Sequence, residues 1–113
     1  MSIDTKQMHS SEITLTRGDT LPIKILIIDE NKDPYILQPD DSLFFTMKKS
    51  VSTKEIIIQK VVKGTEFIIE HDDTANLPYG KYVYDIQLTQ GNGRVSTVIG
   101  PQSFELTGEV TYN

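Results

Sequence analysis

Three stretches of this sequence bring chemistry-bearing side chains together: Arg17-Gly18-Asp19, the spaced oxygens of Asp29, Asn31 and Asp33, and His71-Asp72-Asp73. Arg17-Gly18-Asp19 matches the tripeptide that integrins bind, a reading that requires a protruding extracellular loop. The same residues also make an ordinary strand-to-strand turn, in which Gly18 supplies the φ and Asp19 ties the backbone. Asp29-x-Asn31-x-Asp33 has the opening spacing of a calcium loop. Pro34 stands where such a loop demands glycine, however, and Asp40 where it needs a bidentate glutamate, so a β-turn is expected there. His71 and its two acids could ligate a metal, but the other histidine, His9, lies in a polar N-terminal stretch. A lone His beside two acids after a strand reads as a solvated turn. Nucleophilic catalysis has little to stand on: there is no cysteine, no serine in an elbow context and no phosphate loop. The paired acids Asp40-Asp41 and Asp72-Asp73 fall in turn segments, where carboxylates cap backbone amides more often than they act as acid and base. No enzymatic activity, cofactor or metal site is expected.

The elements that position these residues are strands. From Glu12 the apolar period is two: Ile13 and Leu15 face one way, then Leu21, Ile23, Ile25 and Ile27. Leu43-Phe44-Phe45-Thr46-Met47 is a strong strand. Glu55 to Val62 is another, with Ile56, Ile58 and Val61 expected inward. Phe67 and Ile69 alternate with Glu66, Ile68 and Glu70, and Tyr82, Tyr84, Ile86 and Leu88 continue the pattern. Gly91-Asn92-Gly93 is the strongest hairpin signal, expected as a primed turn, with Val95, Thr97 and Ile99 returning and Gly100-Pro101 bending the strand. Only Asp72 to Leu77 has room for a helical turn. Seven or eight short strands with regular turns predict an all-β fold, an immunoglobulin-like antiparallel β-sandwich. Residues 1–11 show no periodicity and read as a flexible arm, leaving 12–113 as a single domain.

The stretch from Asp73 to Tyr84 carries the most specific fold information. In immunoglobulin-like sandwiches a tyrosine early in a late strand returns its hydroxyl to the backbone of the preceding corner, two residues before an inward core position. Tyr82 occupies that place, Leu77 plugs the core beneath it, and Tyr84 takes the second core position. The functional alternative is a stack of Tyr79, Tyr82 and Tyr84 on a sugar. Tyr82 and Tyr84 lie on the inward face, which leaves Tyr79 open.

At 113 residues, with 37% apolar and 24% charged residues, the chain suits one core. A formal charge of -5 argues against nucleic acid, because phosphate binding needs a basic surface. The aliphatic runs Ile25–Ile28 and Ile56–Ile58 are far too short to span a bilayer, so no membrane partner is expected. Met1 to Lys6 lacks a basic-then-apolar signal pattern, and the absence of cysteine suits a reducing cytosol. Lys48, Lys49, Lys54, Lys60 and Lys63 precede the acids Glu66, Glu70, Asp72 and Asp73. This pattern serves cross-strand pairing and protection of an aliphatic edge, or else a complementary docking surface that steers neighbours in an assembly.

Several phrases taken together resemble a known family. They are Ile13-Thr14-Leu15-Thr16-Arg17-Gly18-Asp19-Thr20, Asp33-Pro34-Tyr35, Leu43 to Lys49, Leu77-x-Tyr79-Gly80-x-Tyr82-x-Tyr84-Asp85-Ile86 and Gly100-Pro101-x-x-Phe104. Over roughly 12–110 the chain is similar to short structural proteins of phages and prophages of Gram-positive bacteria, including the immunoglobulin-like N-terminal domain of baseplate upper proteins. The resemblance implies a tail- or baseplate-associated virion protein that docks to other phage structural proteins or to itself. It would be made in the host cytoplasm and then reside in the virion. Tyr35, Tyr79, Lys48 and Lys49 are the candidate partner or ligand contacts. The alternative is a module that binds carbohydrate on a host surface.

Overall fold

The computed structural model describes residues 12–28 and 33–108 together with a strand at Ser2–Thr5. Among the described residues, alternation of apolar side chains broken by turn residues yields eight strands and one helical turn: β1 (Ser2–Thr5), β2 (Ile13–Thr16), β3 (Leu21–Ile28), β4 (Ser42–Lys48), β5 (Ile58–Val62), β6 (Glu66–Ile69), α1 (His71–Thr74), β7 (Gly80–Thr89) and β8 (Val95–Thr107). A five-stranded sheet in the order β2-β8-β7-β4-β5 faces a three-stranded sheet in the order β1-β3-β6. The fold is an all-β, immunoglobulin-like sandwich. Every ladder is antiparallel except β2 on β8, which is parallel and pairs Ile13 with Phe104.

The core holds the predicted inward positions: Ile13, Leu15, Ile23, Ile25, Ile27, Leu43, Phe45, Met47, Phe67, Ile69, Tyr82, Tyr84, Ile86 and Leu88 are all buried. Phe45 joins the two layers, with its ring 4.9 Å from Phe67 of the smaller sheet and 5.3 Å from Tyr84 of its own. Phe104 closes the cluster edge-on to Tyr84 at 88°. Offset and edge contacts of this kind add stability beyond the area they bury.

Four details differ from the sequence-based expectation. Ser2–Thr5 of the expected arm forms β1, antiparallel to Ile25–Ile28 of β3. Because this pairing is made by backbone, a polar sequence carries no periodic sign of it. In β5 the inward positions are Ile58, Lys60 and Val62, while Val61 is 60% exposed and Ile56 lies before the strand at 47%. The strand kept a strict period of two by turning a lysine inward, where Asp73 meets it at 2.7 Å. The hairpin is a three-residue loop rather than a primed turn. Gln90 N–H donates to Arg94 O, Gly93 N–H donates to Gln90 O, and Gly93 has φ 89°, the left-handed residue that ends such loops. Beyond the hairpin, β8 carries extra residues opposite Tyr84–Gln87, so Tyr84 pairs Gln102 but Ile86 pairs Ile99. These bulges put both Val98 and Ile99 inside and leave Val95 and Thr97 outside. Pro101 sits in the bulged stretch, where a missing ladder donor is tolerated.

Candidate docking face

The helical turn α1 forms at the predicted place, and its role is to brace the first turn of the sandwich. Glu70 N–H donates to Asp73 Oδ2 at 2.7 Å, which fixes the helix start. Thr74 is fully buried, and its Oγ1 accepts from Gly18 N–H at 2.8 Å. The Nδ1 of His71 lies 2.7 Å from Gly18 O, so His71 donates there and Gly18 is held through both its N–H and its carbonyl. Gly18 has φ 85°, a conformation that favours glycine over other residues. Arg17 donates to Leu77 O at 3.3 Å and lies 4.2 Å from the centre of the Tyr79 ring. The Arg17-Gly18-Asp19 turn is thus clasped to α1 and the corner instead of protruding. Asp73 turns away to Lys60, while His71 Nε2 lies 4.0 Å from the exposed Asp72 carboxylate, and among the described residues no group of three or more metal-ligating side chains gathers. Of the spaced oxygens at Asp29, Asn31 and Asp33, the first two lie outside the described residues, as does His9.

The corner itself follows the sequence reading. Tyr82 is buried and its hydroxyl donates to Pro78 O at 2.7 Å, while Leu77 packs half-buried against the core. Gly80 turns the chain into β7 with φ 137°, a value any side chain would strain.

The candidate contact residues separate into two kinds. Tyr35 is engaged within the fold: its hydroxyl donates to Asp41 Oδ2 at 2.6 Å and accepts from Gln90 Nε2 at 3.3 Å. That bond draws the Asp41 carboxyl below its ordinary pKa and raises the Tyr35 hydroxyl. Tyr79 is 45% exposed, but Arg17 lies against its ring. Lys48 and Lys49 remain at the surface and diverge, as consecutive residues of an extended chain must. Lys48 lines a groove on the outer face of the larger sheet. Lys49 lies over the Tyr82 ring at 4.7 Å, beside the corner.

The outer groove has a volume of about 260 Å³ and runs over β5, β4 and β7. Its floor is mostly polar, with Thr46, Gln59, Asp85 and Gln87 beside Val83, and apolar Val51, Ile56 and Pro101 border it. Gln59 Nε2 donates to Thr46 Oγ1 at 3.2 Å, which orders part of the floor. Thr46 and Asp85 are cross-strand partners, with Lys48 and Val83 the next pair but one on the same face. Partial burial raises the Asp85 carboxyl above its usual pKa, and the charge of Lys48 works against that rise. Close by, Phe44 stands opposite the exposed Val61. Sequence reasoning found Lys48 but missed Asp85 and Gln59, because single polar residues on an outward face carry no signal until the loop with Val51 and Ile56 folds beside them.

No family model matches the chain, and no curated protein matches it. Among solved structures it is similar to CopC from Methylosinus trichosporium OB3b, with a TM-score of 0.51 and 12% sequence identity over 97% of this chain and 95% of that chain. At that identity the likeness is one of fold.

Proposed function

We propose that this chain is a structural subunit of a phage or prophage virion, associated with the tail or baseplate. In this reading it is made in the host cytoplasm and acts by docking other virion proteins on the outer face of its larger sheet. The observation that carries the reading is the groove at Lys48 and Asp85, where partly desolvated charge lies among exposed Val51 and Ile56. A mostly polar floor with an apolar border suits a protein surface, because the aliphatic border supplies contact area and the charged floor selects register. The sequence resemblance to phage structural proteins supports the same class. The carbohydrate alternative rests on exposed aromatics at Tyr35, Tyr79 and Tyr112; Tyr35 and Tyr79 are engaged by neighbours within the fold, and Tyr112 lies outside the described residues. Mass spectrometry and immunogold labelling of purified particles from the encoding phage test the proposal. A fixed copy number at one tail position is expected, and absence from washed particles would overturn it. Binding to a glycan array that is lost in Tyr79→Ala would instead favour the carbohydrate reading.

A further inference from the structure

A second groove, of about 450 Å³, opens across the Ser50–Ile57 loop from the first, between that loop and the tyrosine corner. Its walls are Ile56, Ile57, Leu77, Pro78 and the Tyr82 ring, and Lys49, Thr53 and Glu55 form its mouth. We propose that this corner groove seats a large apolar side chain of a partner protein directly followed by an Asp or Glu, with the partner's carboxylate on Lys49. The inference rests on the docking reading and names the partner's chemistry.

The groove is built before any partner arrives. Ile57 and Leu77 are already half-buried against the core, and Ile57 N–H is tied to Met47 O at 2.9 Å. The loop wall is braced by Thr53 N–H on Ser50 O at 3.2 Å and by the Ser50 and Thr53 hydroxyls 2.7 Å apart. Filling it therefore costs little ordering, which favours binding. The Lys49 ammonium is held over Tyr82 and makes one long bond, 3.5 Å to Lys81 O. An ammonium has three donors, so a carboxylate at the mouth finds donors already aimed. Glu55, also at the mouth, repels a carboxylate and so sets which way round the segment lies. Ile56 lines both grooves, so a chain lying on the outer face of the sheet continues over the loop into the corner. That continuity points to a protein segment rather than a free small molecule.

The test is an amide-shift NMR titration of the full chain with blocked tetrapeptides, acetyl-Gly-Leu-Asp-Gly-amide against its Leu-Asn and Leu-Lys counterparts. Saturable shifts at Lys49, Thr53, Ile57 and Tyr82 are expected with Leu-Asp. Binding should be about threefold weaker with Leu-Asn, the fold-change of a surface ion pair, and weaker again with Leu-Lys. Lys49→Gln should abolish the difference between Leu-Asp and Leu-Asn, and the exposed Glu55→Gln should strengthen Leu-Asp binding without touching the core. Equal binding of all three peptides, or no saturable shift at these residues, would overturn the proposal. So would hexanoate saturating the same amides at lower concentration than the peptide. A chain found in the particle whose corner groove ignores the peptides refutes the groove and leaves the virion reading standing.

Discussion

Lys60 shows most clearly how one residue can be read correctly in type and wrongly in place. Its side chain is 20% exposed and that of its partner Asp73 is 22%, so the pair is largely withdrawn from water. Lys60→Ala empties an inward slot and leaves Asp73 with only the Glu70 N–H, for an expected loss of about 2 kcal/mol by urea denaturation. Lys60→Met should lose less, because its aliphatic chain refills the slot. The corner tyrosine makes a cleaner case. Tyr82→Phe removes a hydroxyl that serves Pro78 O, and a loss of about 1 kcal/mol with unchanged strand signals is expected by circular dichroism and denaturation. Tyr82 was legible in the sequence because alternation, Leu77 and Gly80 all point to one corner. Lys60 was not, since an inward lysine is acceptable only when an acid from another element meets it. Local hydrophobicity therefore pointed to Val61. The tripeptide at Arg17 was legible as a turn, but its clasp by His71, Thr74 and Tyr79 depends on residues more than fifty positions away.

At the scale of elements, β3 is the strand whose two edges are treated differently. Ile25 N–H donates to Thr65 O on the β6 side, so the amides of Leu26 and Ile28 face β1. Deleting residues 1–5 should speed hydrogen exchange at Leu26 and Ile28 while leaving Ile23 and Ile25 protected. Uniform exchange along β3 would show that the pairing of β1 contributes nothing there. The inward charge in β5 acts at this scale as well. A strand edge that carries Lys60 inward pairs poorly with a foreign strand, which is how an aliphatic edge avoids aggregation. The bulges of β8 were not legible, because register slips arise from pairing between strands and leave no mark on the period of either one until Gly100-Pro101 is met.

For the whole molecule, the aromatic core sets an alkaline limit. Burial pushes the Tyr84 hydroxyl up to about 12, against about 10 in the unfolded chain. Above about pH 10 the unfolded chain loses a proton that the folded one keeps, so the stability present below that pH declines towards pH 12. The phenolate absorbance that Tyr84 contributes, read as the difference from Tyr84→Phe, should thus appear together with unfolding during alkaline titration, and Tyr84→Phe should move the midpoint of that transition upward. The sandwich class and most of its core were legible because strand period and core face are local properties. The grooves were not, since each forms only where the Ser50–Ile57 loop folds back against strands set elsewhere. The parallel ladder of β2 on β8 pairs Leu15 with Leu106, and the Thr107 hydroxyl donates to Leu15 O across a separation of 92 residues. Contacts so remote in sequence raise the contact order, the property that slows the folding of β-sandwiches relative to helical bundles. On a ribosome β2 must wait, with Ile13 and Leu15 unsheltered, until the segment from Phe104 to Thr107 has been synthesised and has cleared the exit tunnel. The first strand of this sheet is thus the one that closes last.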